Sequence, residues 1–304
     1  MKKGVGSSRR WHHRSVLALV RSTGGGDPEE IVRTKAKEKV AWAKSLGWVG
    51  PPYDPFLLAS LCGIKHRPNP GLLSAEAQLT PQPGRQLLLE FNPERADVRR
   101  NFSICHEIAH TFFDDCYEVV SQRKSNPTTY GPQSEVEQLC QIGAAELLMP
   151  EEDFLQDLQR LDFSMCSVPC LSGRYVASRE AVLRRMVQLG GRPAALVFLS
   201  RRLAPSQRRD KQQRTFIPDL DEPAPKMRIL YVVPSADFPV FLPPHKSVPD
   251  TSCVYATSDI DEIAVQDETW NIDGFREWCV EAMTLPVPID ADDDTPTVAA
   301  LVLP

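Results

Sequence analysis

The chain has 304 residues, 42% hydrophobic and 25% charged, with a formal net charge of −5. That is enough for one large domain or two ordinary ones with cores of their own, and no stretch approaches the ~20 apolar residues of a membrane span. Eight cysteines without a CxxC pair exclude a dense disulfide framework and read as reduced thiols in a cytoplasmic protein.

Residues 1–26 are basic at the start, with Arg9, Arg10 and Arg14, and end in Gly24-Gly25-Gly26. They are expected to form a flexible tail. Asp27-Pro28 predicts a helix start, a capping carboxylate before a proline at the first helical position, and the helix should run to about Leu46. Asp54-Pro55 predicts a second helix, ending at Gly63. Ser74–Thr80 and Gln86–Phe91 read as strands around a Pro81–Gly84 turn. Asn92-Pro93-Glu94 should open a helix that exits near Asp114-Asp115. Residues 121–131 read as a loop. Helices are then expected over Ser134–Met149, Glu151–Arg160 and Ser178–Gln188, the last two as a helix-turn-helix-like pair.

From Arg192 the character changes. Ala194–Leu199, Arg228–Val233, Cys253–Thr257 and Thr297–Leu303 are strand candidates, and Ile272–Met283 reads as a helix. The stretch 201–224 reads as a basic loop. From Thr215 onward there are seventeen Asp and Glu against four Lys and Arg, so the modest net charge averages a basic part and an acidic one. The expected organisation is a tail over 1–26, one domain over 27–191 and a second over 192–304.

The central signal is His106-Glu107-Ile108-Ala109-His110. On a helix, positions four apart share a face, so both imidazoles can reach one Zn²⁺ ion at ~2.0–2.1 Å. Glu107 can then take a proton from metal-activated water and pass it to a leaving amine. The surrounding Phe102, Ile104, Ile108, Phe112 and Phe113 make the helix largely buried, where ionisable groups need partners. A third ligand must come from elsewhere. His66 and His245 are possible, but carboxylates on the Ser134–Met149 helix are better placed: Glu135, Glu137 or Glu146. Spacing does not choose among them. Cys116, six residues after His110, is a candidate inhibitory zinc ligand, and Tyr130 a candidate oxyanion stabiliser. Gln86–Phe91, just before the metal helix, could hold an extended substrate as an edge strand.

Arg99-Arg100-Asn101-Phe102-Ser103 before the motif, and Glu137 through Ala144-Ala145-Glu146-Leu147-Leu148-Met149-Pro150 after it, resemble the two signatures of the ImmA/IrrE metallopeptidases. The resemblance is clear from about Asp27 to Gln188. It implies an α+β chain: a zincin-like metallopeptidase domain with helix-turn-helix-like helices, followed by a GAF-like α/β sensor domain. It selects Glu137 as the third ligand, with Gln141 standing where that pattern has Asn. It further implies cleavage of a helix-turn-helix repressor, relieving repression of DNA-damage or phage-defence genes. A signal such as single-stranded DNA would be sensed by the C-terminal domain. Arg201, Arg202, Arg208, Arg209, Lys211 and Arg214 would supply charge for that, and Tyr255, Trp270, Phe275 and Trp278 stacking surfaces. The competing reading is a zinc-containing regulatory or DNA-binding protein without protease activity. Glu107 speaks against it, because a structural site needs no general base.

Overall fold

The computed structural model describes residues 10–73, 75–125, 135–207, 224–257, 262–271, 275–286 and 296–304. Helix and sheet are segregated along the chain, an α+β arrangement. It divides into two compact units. One is 1–154 with 173–178; the other is 155–172 with 179–304. The expected boundary at 191/192 is thus displaced, and most of the helical segment after residue 154 belongs with the C-terminal sheet. Among the described residues no helix is long and apolar enough to cross a membrane.

In the first unit, the tail expectation fails from Arg14 onward. Helix α1 (Arg14–Ser22) buries Val16 and Leu19 completely or nearly so, and Ser15 Oγ donates to Asp115 Oδ2 at 2.7 Å. Helix α2 (Pro28–Ser45) starts as expected, with Asp27 accepting from Glu29 N. Helix α3 (Pro55–Leu61) begins on Asp54, which accepts from Phe56 N and Leu57 N. Strand β1 (Lys65–Pro68), unforeseen, precedes β2 (Ala77–Gln82) and β3 (Gln86–Phe91). β1 pairs parallel and β2 antiparallel with β3. β3 is therefore the middle strand, not an edge, and the order is β1-β3-β2.

Helix α4 (Asp97–His110) starts later than Asn92. Asn92 is spent on a turn: its Oδ1 accepts from Glu94 N and its Nδ2 donates to Leu72 O. α4 also ends sooner than expected, and α5 (Cys116–Ser125) occupies part of the stretch read as loop. Helix α6 (Glu135–Leu148) packs on α4 and α2. Gly143 makes this approach possible: a Cβ there would lie 2.9 Å from Ala109 Cβ and 3.0 Å from Phe112 Cε2. Helices α7 (Glu151–Arg160), α8 (Val168–Tyr175) and α9 (Arg179–Leu189) follow.

In the second unit, strands β4 (Ala195–Arg202), β5 (Lys226–Pro234), β6 (Ile263–Asn271), β7 (Phe275–Thr284) and β8 (Val298–Leu303) form one sheet in the order β5-β4-β8-β7-β6. Every neighbouring pair is antiparallel. β4 up to Ser200 and all of β8 are buried on both faces, which explains their unbroken apolar runs. Two expectations fail here. From Phe275 on, the helix placed at Ile272–Met283 is strand β7, because Trp278, Val280 and Ala282 alternate into the core, and 272–274 lie outside the described residues. The strand at Cys253–Thr257 is a short 3-10 turn, capped by Ser252. Helix α9 packs on β4 and β5. Arg184 on α9 donates to Glu180 and to Tyr231 Oη, and Arg185 is 1% exposed. A recognition helix needs an open face for DNA, so this packing weakens a DNA-reading role for the pair.

Candidate metal centre

α4 and α6 supply the site together. His106 and His110 lie on one face of α4, with ring centroids 5.0 Å apart and nearly perpendicular planes. Ligand atoms of His106, Glu107 and His110 all lie within 4.8 Å of one another. From α6, Glu137 Oε2 lies 2.9 Å from His106 Nε2, and its Oε1 lies 3.7 Å from His110 Nε2. Four ligands at ~2.0–2.1 Å in a tetrahedron stand roughly 3.3 Å apart. The two observed separations bracket that value, and two imidazoles with a carboxylate are a suitable donor set for zinc.

The carboxylates that spacing left open have different partners. Glu135 accepts from the backbone of His12 and His13 at 2.7–2.9 Å. Glu146, 2% exposed, accepts from Glu151 N and so caps α7. Glu137 is the one that meets His106 and His110. His66 sits on β1 against Phe56, and the His245 backbone pairs with Ile229.

Glu107 is buried, and its Oε2 accepts a 2.8 Å hydrogen bond from Leu79 N on β2. This contact gives the carboxylate a fixed orientation beside the histidines. It also shows which way β2 faces. Leu79 N–H points away from β3, so the backbone groups of Ala77, Leu79 and Pro81 line the outer edge of the sheet, next to Glu107. Of the two edge strands, β1 and β2, it is therefore β2 that lies beside Glu107, whereas β3, suggested by the sequence, is the middle strand.

Cys116 is buried at the start of α5, and among the described residues the ligand atoms that converge are those of His106, Glu107, His110 and Glu137. Burial pushes the Cys105 thiol well above its ordinary range, as befits a packing residue. Tyr130, Arg208, Arg209, Lys211 and Arg214 lie outside the described residues. Arg201 lies over the Tyr255 ring at 5.5 Å, and Arg202 closes β4, its carbonyl accepting from Arg228 Nε. Trp270 and Trp278 are core residues, 0% and 3% exposed, and Tyr255 Oη is held between Met227 N and Asp250. The tryptophans are thus not stacking platforms; the side chain of Phe275 lies outside the description.

Two participants escaped the sequence reading. Leu79 acts through its backbone, which leaves no signature in residue type. Cys140 Sγ lies 3.2 Å from His110 Nδ1, and its only hint was a position three residues after Glu137.

Residues 74–187 match the IrrE N-terminal-like domain of the peptidase M78 family. This stretch is thus similar to the ImmA/IrrE metallopeptidases, and it contains all four converging side chains. A comparison with curated proteins gives no match. Among solved structures, a Mycobacterium tuberculosis transcriptional regulator is similar in fold. The TM-score is 0.53 at 15% identity, covering 95% of this chain and 79% of that one.

Proposed function

We propose that the chain is a regulated zinc endopeptidase that cleaves a helix-turn-helix repressor. The observation that carries the peptidase reading is the convergence of His106, His110 and Glu137 on one point with the Glu107 carboxylate beside it. His106, His110 and Glu137 would hold one zinc ion, which when bound supplies Lewis acidity and an acidified water. Glu107, oriented by Leu79 N–H, takes a proton from the attacking water and returns it to the leaving amine. The outer edge of β2, over Ala77–Pro81, holds the extended substrate by main-chain pairing.

The repressor substrate rests on the family resemblance, and so does a GAF-like sensor role for the C-terminal sheet. The similar fold of a transcriptional regulator agrees with a regulatory setting. Activation by single-stranded DNA has less physical support than the sequence suggested, since its two tryptophans are buried.

The test is metal content and cleavage measured together. The purified protein should carry one zinc per chain, lost in His110→Ala. Glu107→Gln should keep the zinc and cut a helix-turn-helix repressor encoded beside this chain at least about 100-fold more slowly, the usual range for a lost general base. Undiminished cleavage by Glu107→Gln would end the mechanism. Cleavage of casein-like substrates as readily as the repressor would end the narrow specificity.

A further inference from the structure

We propose that Cys140 is a positioning residue for the metal ligand His110, a proposal that rests on the zinc reading above. Glu137 and Cys140 are three residues apart on α6 and so share a face. They meet His110 on opposite edges of its ring: Glu137 Oε1 at 3.7 Å from Nε2, and Cys140 Sγ at 3.2 Å from Nδ1. The sulfur is on the far side of the imidazole from the other ligands, which separates it from the metal-binding edge. When Nε2 gives its lone pair to the metal, Nδ1 carries the proton, and Sγ is positioned to accept it. That contact selects the tautomer and fixes the ring plane, the two things an outer partner does for a metal-bound histidine.

The surroundings fit this role better than simple packing. Cys140 is 0% and His110 2% exposed, so water does not compete for Nδ1. The backbone beneath is firm, since Gly143, one turn along α6, lies against Ala109 and Phe112. One helix thus supplies both a ligand and the brace of another ligand, so that a shift of α6 disturbs two of the three metal contacts together.

The test is zinc affinity by chelator competition, with the Co²⁺-substituted spectrum as a second readout, on the full chain and on Cys140→Ser, Cys140→Ala and Cys140→Val. Serine keeps an acceptor and should stay within about 3-fold of the parent. Alanine and valine remove it and should bind zinc about 10–100-fold more weakly, the range for lost outer partners of metal ligands. Valine restores volume without an acceptor, so normal affinity in Cys140→Val would assign the residue to packing and overturn the proposal. Normal affinity in Cys140→Ala would do the same. If the unsubstituted chain binds no zinc through His106 and His110, the zinc reading itself fails, a result distinguishable from either of these.

Discussion

Glu90 is buried on the middle strand of the first sheet, and Arg67 on β1 binds one of its oxygens through both Nε (3.0 Å) and Nη2 (2.7 Å). Burial opposes its ionisation, but Arg67, through hydrogen bonds and charge, together with hydrogen bonds from Thr80 and Gln78, holds the carboxyl below its ordinary range. A depressed carboxylate stabilises the fold above its unfolded pKa of about 4.3. That contribution is lost as pH falls through the lower, folded value. Arg67→Met should therefore cost about 1 kcal/mol at pH 7, a low figure because Arg67 is largely exposed. The difference should close as pH falls below 4. Urea melts of both proteins across that range check it, and a pH-independent difference would mean that packing is at work. At this scale the site was unevenly legible. His106, Glu107 and His110 could be read because helical spacing alone puts both imidazoles on one side. Glu137 could not be separated from Glu135 and Glu146 by spacing, since their difference lies in which neighbours each one meets. Cys140 was invisible for the same reason.

The approach of α6 to α4 depends on a missing side chain. Gly143→Val would place atoms where Ala109 and Phe112 already stand, and the helices must part. Overpacking of this kind costs about 1–3 kcal/mol. Zinc affinity should fall with it, because Glu137 is on the helix that moves. A stable protein with unchanged zinc binding would show that the contact has slack. Helix α1 is a second dependency. Its N-terminal backbone is held by Glu135, and Ser15 holds Asp115. Deleting residues 1–22 should lower the melting temperature by several degrees, whereas deletion of a flexible tail would leave it unchanged. Among the elements, those opened by Asp-Pro were plain from sequence, since cap and proline act locally. β1 carried no signal, because Lys65–Pro68 are all exposed and have no apolar alternation. β7 was misread because a run rich in Trp278, Val280, Ala282 and Met283 fits either period until its pairing with β6 and β8 is known.

At the scale of the molecule, the division after residue 154 matters for how the chain can be cut. Glu281 on β7 accepts from Ser164 Oγ and Met165 N. Arg184 lies over the rings of Phe198 and Tyr231, 5.2 Å from each. The helical segment is thus fastened to the C-terminal sheet within one unit. A fragment ending at residue 191 should expose Val182, Leu183, Met186 and Val187, all buried in the full chain, and bind a hydrophobic dye that the full chain does not. A fragment that melts as the full chain does and binds no dye would refute that partition. The outer edge of β2 has a different consequence. Pro81 has no N–H, and the N–H of Leu79 is engaged by Glu107, so the edge presents mainly carbonyl oxygens. Two such edges facing each other would oppose acceptor to acceptor, and copies of the chain are poorly suited to zip together there. A peptide that pairs with this strand must bring the donors itself, so N-methylation of its backbone at alternate residues should abolish binding in one phase and leave it intact in the other.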